Sequence, residues 1–428
     1  MNNRLRIILA ATLLATTATT AAASEPEWIK QFGGTRAGDL DSATGVAIGA
    51  NGRVHVVGCT SGALGGAYKG RGDSFVITFE HDGTELWRRQ PGTSAQDCAY
   101  AVATDVDGGV TVVGFTSGAL GGTFKGGYSD AFVIKYDRDG RTLWTRQPGT
   151  TALDIANGVA TDSDGNIFVV GETDGALGGT NKGHSDAFVI KYDRDGHTLW
   201  KRRPGTTALD IATAVATDTN GNVTVAGYTY SALGGTFKGG YSDAFVIKYD
   251  RDGRTLWTRQ PGTTAMDRAN GVATDPDGNI YVVGETWGAL GGTFKGGYSD
   301  AFVIKYDRDG RTLWTRQPGS PERDWASGVA TDAAGNVHVV GTTTGLLGGP
   351  KKGDFGDFDA FIIKYDRDGR NVWRDQAGSD RSDYPQGVAV DADGDVYVAG
   401  GTNGSLSGNA NTTNTDAFLI KYGPNGPQ

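Results

Sequence analysis

The chain is 428 residues long and sets 40 Lys and Arg against 49 Asp and Glu, a formal net charge of -9. That balance argues against nucleic acid or an anionic membrane as partner, because both need clustered basic side chains to neutralise phosphates. Glycine is abundant at 69 residues, proline modest at 12, and the glycines recur at fixed intervals, which excludes collagen and low-complexity disorder and points to turns.

From the N-terminus, residues 1–23 read as a secretory signal peptide. Arg4 and Arg6 precede an apolar run over 7–14, and Ala21, Ala22 and Ala23 supply a small-residue cleavage pattern. Cleavage is expected to leave Ser24 first and to deliver a soluble chain outside the cytoplasm: secreted, periplasmic or at the cell surface. No Cys stands beside that site to take a lipid, and no later apolar run reaches the ~18 residues needed to span a membrane.

Next comes WIKQFGG over 28–34, a short Trp-bearing segment with no repeat before it. Beyond it the chain repeats. The segment DAFVIKYD, or a close variant, starts at Asp73, Asp130, Asp186, Asp243, Asp300, Asp359 and Asp416, and a Trp follows six of these copies, at Trp87, Trp144, Trp200, Trp257, Trp314 and Trp373. The seventh copy lacks its Trp segment, and Trp28 supplies one at the other end of the chain.

One unit, 271–317, shows the elements in order. GVATD is a short apolar strand (a), PDGN a tight Asp-Gly turn, and IYVVGET a β-branched and aromatic strand (b). A Gly-rich loop over 287–299 leads to DAFVIKYD (c), where Phe302, Ile304 and Tyr306 alternate against their neighbours with period two. The turn RDGR returns the chain through TLWTRQ (d). Four antiparallel strands per unit, seven units and no helical period predict an all-β fold, a seven-bladed β-propeller. Residues 24–428 are expected to form one domain, with strand 28–33 completing the last blade and closing the ring.

The motifs GVATDSDGNIFVVGET and SDAFVIKYDRDG, followed by a Trp-bearing strand, resemble the bacterial seven-bladed β-propeller repeat called SBBP. The resemblance runs over 28–422. It implies the propeller fold and an extracytoplasmic setting, and it carries no catalytic residues or common ligand over to this chain.

Alternating strand direction sorts the connections onto two faces. The a-to-b and c-to-d turns, nearly all Asp-x-Asp-Gly, share one face; the long b-to-c and d-to-a loops share the other, where binding is expected. On the loop face, Lys69, Lys125, Lys182, Lys238, Lys295 and Lys352 occupy matched positions, with Asn411 in the seventh copy, and Asp41, Asp97, Asp154, Asp210, Asp267, Asp324 and Asp383 precede strand a. These side chains either cap turns within the ring or form a polar ring for an anionic or carbohydrate ligand.

Departures from the repeat carry the binding hypothesis. Tyr228, Tyr230, Trp287, Trp325 and Tyr384 break the pattern in neighbouring units and are expected to form one aromatic sector suited to sugar rings or a protein partner, with local packing between loops as the alternative. No cofactor is expected: Asp162, Asp164 and Asn166, or Asp137 and Asp139, resemble fragments of a calcium loop, but hairpin-turn chemistry accounts for them. The histidines His55, His81, His184, His197 and His338 sit at unmatched positions, and no nucleophile stands at a suggestive spacing. Cys59 and Cys98 fall at one blade junction on the loop face, where an exported chain favours a disulfide over two buried thiols.

The sequence therefore reads as a secreted, monomeric, non-enzymatic binding or adhesion module with a glycan or protein ligand and no membrane insertion. A polysaccharide-active lyase or hydrolase on the same scaffold, or a purely structural surface protein, are the alternatives.

Overall fold

A computed structural model describes residues 26–34, 38–354, 356–406 and 414–426. The expected signal segment and Asn411 lie outside these residues. Among them, strands are the regular elements, and they form seven four-stranded antiparallel sheets arranged as the blades of a propeller. Blade five shows the pattern: a over Asp267–Thr274, b over Ile280–Thr286, c over Asp300–Tyr306 and d over Thr312–Arg316. Strand a begins four residues earlier than the sequence suggested. A β-bulge between Ala269 and Gly271 bends it there, so the apolar pattern resumes only after the bulge.

The seventh blade is assembled from both ends of the chain. Trp28–Phe32 pairs antiparallel with Asp416–Tyr422, setting Trp28 opposite Lys421 and Phe32 opposite Ala417. The sheet order thus runs from the N-terminal strand through the last three strands of the sequence, and an outer edge that would otherwise expose unpaired backbone is covered.

Strand c is buried along its whole length in every blade, not on alternate residues. A blade lies between two others, so both of its faces are interior. In blade five, Phe302, Ile304 and Tyr306 pack back onto blade four with Ala244 and Val246, while Ala301 and Val303 pack forward onto blade six with Phe361 and Ile363. Each such large apolar side chain contributes ~1.5–3 kcal/mol by leaving water. The hydrophobic core is therefore a series of inter-blade layers.

A second inter-blade device sits on the outer strands. The Trp257 indole N–H donates to the Arg308 carbonyl of the next blade, and the Arg259 guanidinium lies over the Trp257 ring while its Nε donates to the Gly310 carbonyl. Gly310 has a positive φ of 77° and presses on that ring: a methyl group there would meet Trp257 at 2.8 Å. Equivalent clamps join blade one to two, two to three, three to four and five to six.

Candidate functional site

Strand a lines the axial channel, and its fourth residue is polar in all seven blades: Thr44, Tyr100, Asn157, Thr213, Asn270, Ser327 and Gln386. Five of these side chains bridge to the strand a of the next blade, donating to the carbonyls of Ala99, Ala212, Ala269, Ala326 and Pro385. Deeper in the channel, Thr104, Thr161, Thr217, Thr274 and Thr331 donate in the opposite sense round the ring. The channel wall is thus stitched by hydroxyls and amides that donate across the blade junctions.

Where strand a starts and strand b ends, on the loop face, the channel widens into a cavity of about 640 Å³. Its upper wall is built from positions that differ from blade to blade: Tyr100, Glu172, Tyr228, Glu285, Arg323 and Trp325. Burial pushes the carboxyls of Glu172 and Glu285 upward; the Ser185 hydroxyl opposes this at Glu172, and Arg268 and Arg323 oppose it at Glu285. Burial likewise raises the Tyr228 phenol to about 12, against the nearby Arg268 charge.

The five sequence-selected aromatics fall into three groups, not one sector. Tyr228 and Tyr230 lie 6.2 Å apart, with Arg268 over the Tyr228 ring. Trp287 meets Tyr241 edge-on across the junction of blades four and five. Trp325 and Tyr384 each pack on Phe358, at 5.2 and 5.4 Å. Of the five, Tyr228 and Trp325 line the cavity. The sector divides because strand b and strand a project toward the axis, whereas Trp287 opens the b-to-c loop toward the rim.

The matched Asp and Lys residues serve the loops themselves. Asp267 accepts from the Thr263 amide and hydroxyl and from the Thr286 hydroxyl, and Asp300 accepts from the Lys295 amide and the Gln317 amide group. Lys69, Lys125 and Lys182 donate to backbone carbonyls of the adjoining d-to-a segment. In blade three Arg203 stands where the other blades have Gln, and it pairs with Asp186 in the interior.

Cys59 and Cys98 form a disulfide with Cα atoms 4.9 Å apart, joining strand b of blade one to strand a of blade two beside the cavity. On the turn face, Asp162 accepts from the amides of Asp164 and Asn166 and from the Asn166 side chain, with Lys191 alongside, so its oxygens are engaged in turn chemistry. Asp193, Asp195 and His197 cluster on that face too, and His197 Nδ1 lies 3.0 Å from Asp193.

Sequence reasoning passed over Tyr128, Tyr241 and Tyr298. These stand at one repeat position in the b-to-c loops of blades two, four and five, and are 84%, 69% and 73% exposed. Their loops share the sequence TFKGGYSD, whose very constancy concealed them. Glu172, Glu285 and Tyr100 were also missed, although the blade-to-blade variation of the strand b penultimate residue (Cys59, Phe115, Glu172, Tyr228, Glu285, Thr342 and Gly401) was available as a signal.

The repeat family described as SBBP, a beta-propeller repeat, matches residues 143–179, 256–292, 313–348 and 372–407. Each matched unit starts in strand d of one blade and ends in the b-to-c loop of the next, so the sequence repeat straddles two blades. The regulatory protein FlaEY of Caulobacter vibrioides is 30% identical over 207 residues, covering 42% of this chain and 21% of the relative. An uncharacterized WD repeat-containing protein of Acanthamoeba polyphaga mimivirus is 28% identical over 197 residues, covering 36% of this chain and 14% of the relative. The chain thus spans only 21% and 14% of the length of these relatives in matched sequence. Among solved structures, the Pan2 WD40 domain of Neurospora crassa aligns over 89% of both chains at 12% identity, with a TM-score of 0.45.

Proposed function

We propose that this chain of SBBP beta-propeller repeats is an extracytoplasmic, non-enzymatic binding module that seats a glycan or protein ligand on its loop face, over the channel mouth. One observation carries the reading: Tyr100, Glu172, Tyr228, Glu285, Arg323 and Trp325, all at positions that differ between blades, line one cavity, while the matched Asp residues are engaged in turns and caps. A rigid ring that displays irregular aromatic, acidic and basic groups at one mouth is suited to selective binding. The exposed Tyr128, Tyr241 and Tyr298 extend that surface outward and supply flat rings with polar tips. The Cys59–Cys98 disulfide and the apolar N-terminal run support a compartment outside the cytoplasm.

Binding of the full chain to a glycan array and to surface-extract proteins tests this reading. Tyr228→Ala and Trp325→Ala are expected to abolish any interaction made at the mouth; a ligand held equally well by both variants places the binding surface elsewhere.

A hydrolase or lyase is the second reading, favoured by half-buried Glu172 and buried Glu285, two carboxyls with raised pKa on the wall of one cavity. Release of reducing ends or unsaturated products from a bound polysaccharide, lost in Glu172→Gln or Glu285→Gln, would favour it over simple binding.

A further inference from the structure

Arg268 and Glu285 face one another across strands a and b of blade five, yet they do not pair. The Arg268 guanidinium lies 4.7 Å from the Tyr228 ring centroid, and its Nη2 donates to the Tyr230 hydroxyl at 3.1 Å. Its Nε is buried with no hydrogen-bond partner among the described residues. Glu285 is only 8% exposed, lines the cavity, and has its Oε2 likewise without a partner. Leaving a buried donor or acceptor unmade is costly, more so for a charged group. The Glu285 acceptor belongs to a residue of the cavity wall, and the Arg268 donor adjoins that wall through Tyr228, whose ring the guanidinium covers; together they specify what a complementary ligand supplies.

A hydroxyl group can donate to Glu285 Oε2 and accept from Arg268 Nε, whereas an ammonium satisfies only the first and a phosphate only the second. The charges are mixed: Arg268 and Arg323 both act against the Glu285 charge, so the wall does not carry one sign alone. Tyr228 and Trp325 add aromatic walls of the kind that pack against the C–H face of a pyranose ring. The volume of about 640 Å³ lies within the ~300–1,000 Å³ typical of small-ligand sites.

From these features we infer that the channel mouth binds a neutral saccharide, with Glu285 accepting from a ring hydroxyl and Arg268 donating to one. The inference rests on the mouth being the ligand site and adds the ligand class and the two residues that read it.

Saturation-transfer NMR on the full chain tests it, with a panel of neutral mono- and oligosaccharides and with spermidine and inorganic phosphate as charged probes. Wild type is expected to bind at least one neutral saccharide. Glu285→Gln, which keeps the side-chain shape, is expected to weaken that binding about tenfold to a hundredfold, the effect of losing a hydrogen bond to a charged group. Circular dichroism would confirm that the variant remains folded. Spermidine or phosphate binding that depends on Tyr228, with every neutral saccharide inert, would overturn the saccharide assignment and leave the mouth as a ligand site. Saccharide binding unchanged in both Glu285→Gln and Tyr228→Ala would overturn the assignment of these residues. No Tyr228-dependent binding of any probe, and none in the array experiment, would remove both readings.

Discussion

Asp359 and Asp383 converge on one α-carbon: a methyl group at Gly378 would meet Asp383 Oδ2 at 3.0 Å and Asp359 Oδ1 at 3.2 Å. Asp359 opens strand c of blade six, Asp383 opens strand a of blade seven, and both are buried. Burial is the main reason that the Asp383 carboxyl is pushed up to about 6, and the Asp359 charge adds to it against hydrogen bonds from Thr402 and Ser379. The Asp that opens strand a has a raised pKa in every blade, so the ring holds seven such carboxyls.

This arrangement sets the pH dependence of stability. A carboxyl whose folded pKa exceeds its unfolded value of 3.8 favours folding fully below 3.8, and loses that contribution as pH rises through the folded value, about 6 for Asp324 and Asp383. His55, lowered to about 4, and His338, also lowered, act in the opposite sense: they favour folding above 6.5 and lose that contribution as pH falls. Between pH 5 and 7.5 the Asp324 and Asp383 carboxyls oppose the two imidazoles, and Asp324→Asn with Asp383→Asn is expected to remove the loss of Tm that the carboxyls cause as pH rises over that interval. A calorimetric series in which wild type and this double variant show the same change in Tm from pH 5 to 7.5 would show that burial of these carboxyls does not set the pH dependence.

The Gly of the Gln-Pro-Gly segment packs on a second carboxylate, the Asp that opens strand c. At Gly149 a methyl group would stand 2.2 Å from Asp130 Oδ1, an oxygen that has no hydrogen-bond donor among the described residues and lies directly on the glycine. Gly149→Ala is expected to destabilise the protein by about 1–3 kcal/mol, as overpacking of an interior does. Urea unfolding with an unchanged midpoint would show that the loop yields without cost.

The two junctions that flank blade seven lack the Trp–Arg clamp of the others. Asp375 and Lys30 stand where the other outer strands carry the clamping Arg, and the indole nitrogens of Trp373 and Trp28 have no hydrogen-bond partner among the described residues. Trp28 is half-buried, edge-on to Tyr397 at 6.0 Å. Trp28→Ala is expected to cost about 3 kcal/mol, the lower end of the range for a large aromatic. Hydrogen exchange is expected to open blade seven and the outer strand of blade six before the others; uniform protection round the ring would contradict a seam there.

The architecture was legible because closure is a matter of counting: an unmatched Trp28 at one end and an Asp416 strand without its Trp at the other admit one solution. Burial on both faces of strand c was less legible, because Lys305 interrupts the apolar run and mimics a solvent-facing position. In the fold Lys305 is interior, with its ammonium 4.9 Å from the Tyr281 ring centroid, donating to the Arg367 carbonyl of the next blade. The candidate site was half legible. Tyr228 and Trp325 were found as departures from the repeat, whereas Glu172 and Glu285 escaped because a Gly-Glu-Thr strand end looks polar and ordinary until blades place it at the axis.

The disulfide staples the first two blades at the mouth. A sequence separation of 39 between Cys59 and Cys98 implies ~4 kcal/mol of stabilisation through loop entropy in the unfolded chain. Reduction, or Cys59→Ser with Cys98→Ser, is expected to lower the denaturation midpoint by a corresponding amount while the sheets remain formed. An equal midpoint for oxidised and reduced protein would mean that inter-blade packing alone fixes this junction.

The exposed tyrosines permit a separation of two kinds of contact. Tyr128, Tyr241 and Tyr298 occupy copies of one loop sequence, so they present the same chemical group at several places on one rigid face. Three equal, weak contacts suit a long repeating ligand, because each later contact forms at high effective concentration. Replacing all three with Ala removes side chains that are mostly in water, and stability is expected to change by no more than about 0.5 kcal/mol per site. Binding of a polymeric glycan is expected to fall by far more than the sum of single substitutions, while binding of a monosaccharide at the mouth stays as it was. Surface plasmon resonance with both ligands measures the difference; a triple variant that holds the polymer as wild type does would confine recognition to the cavity walled by Tyr228, Glu285 and Trp325.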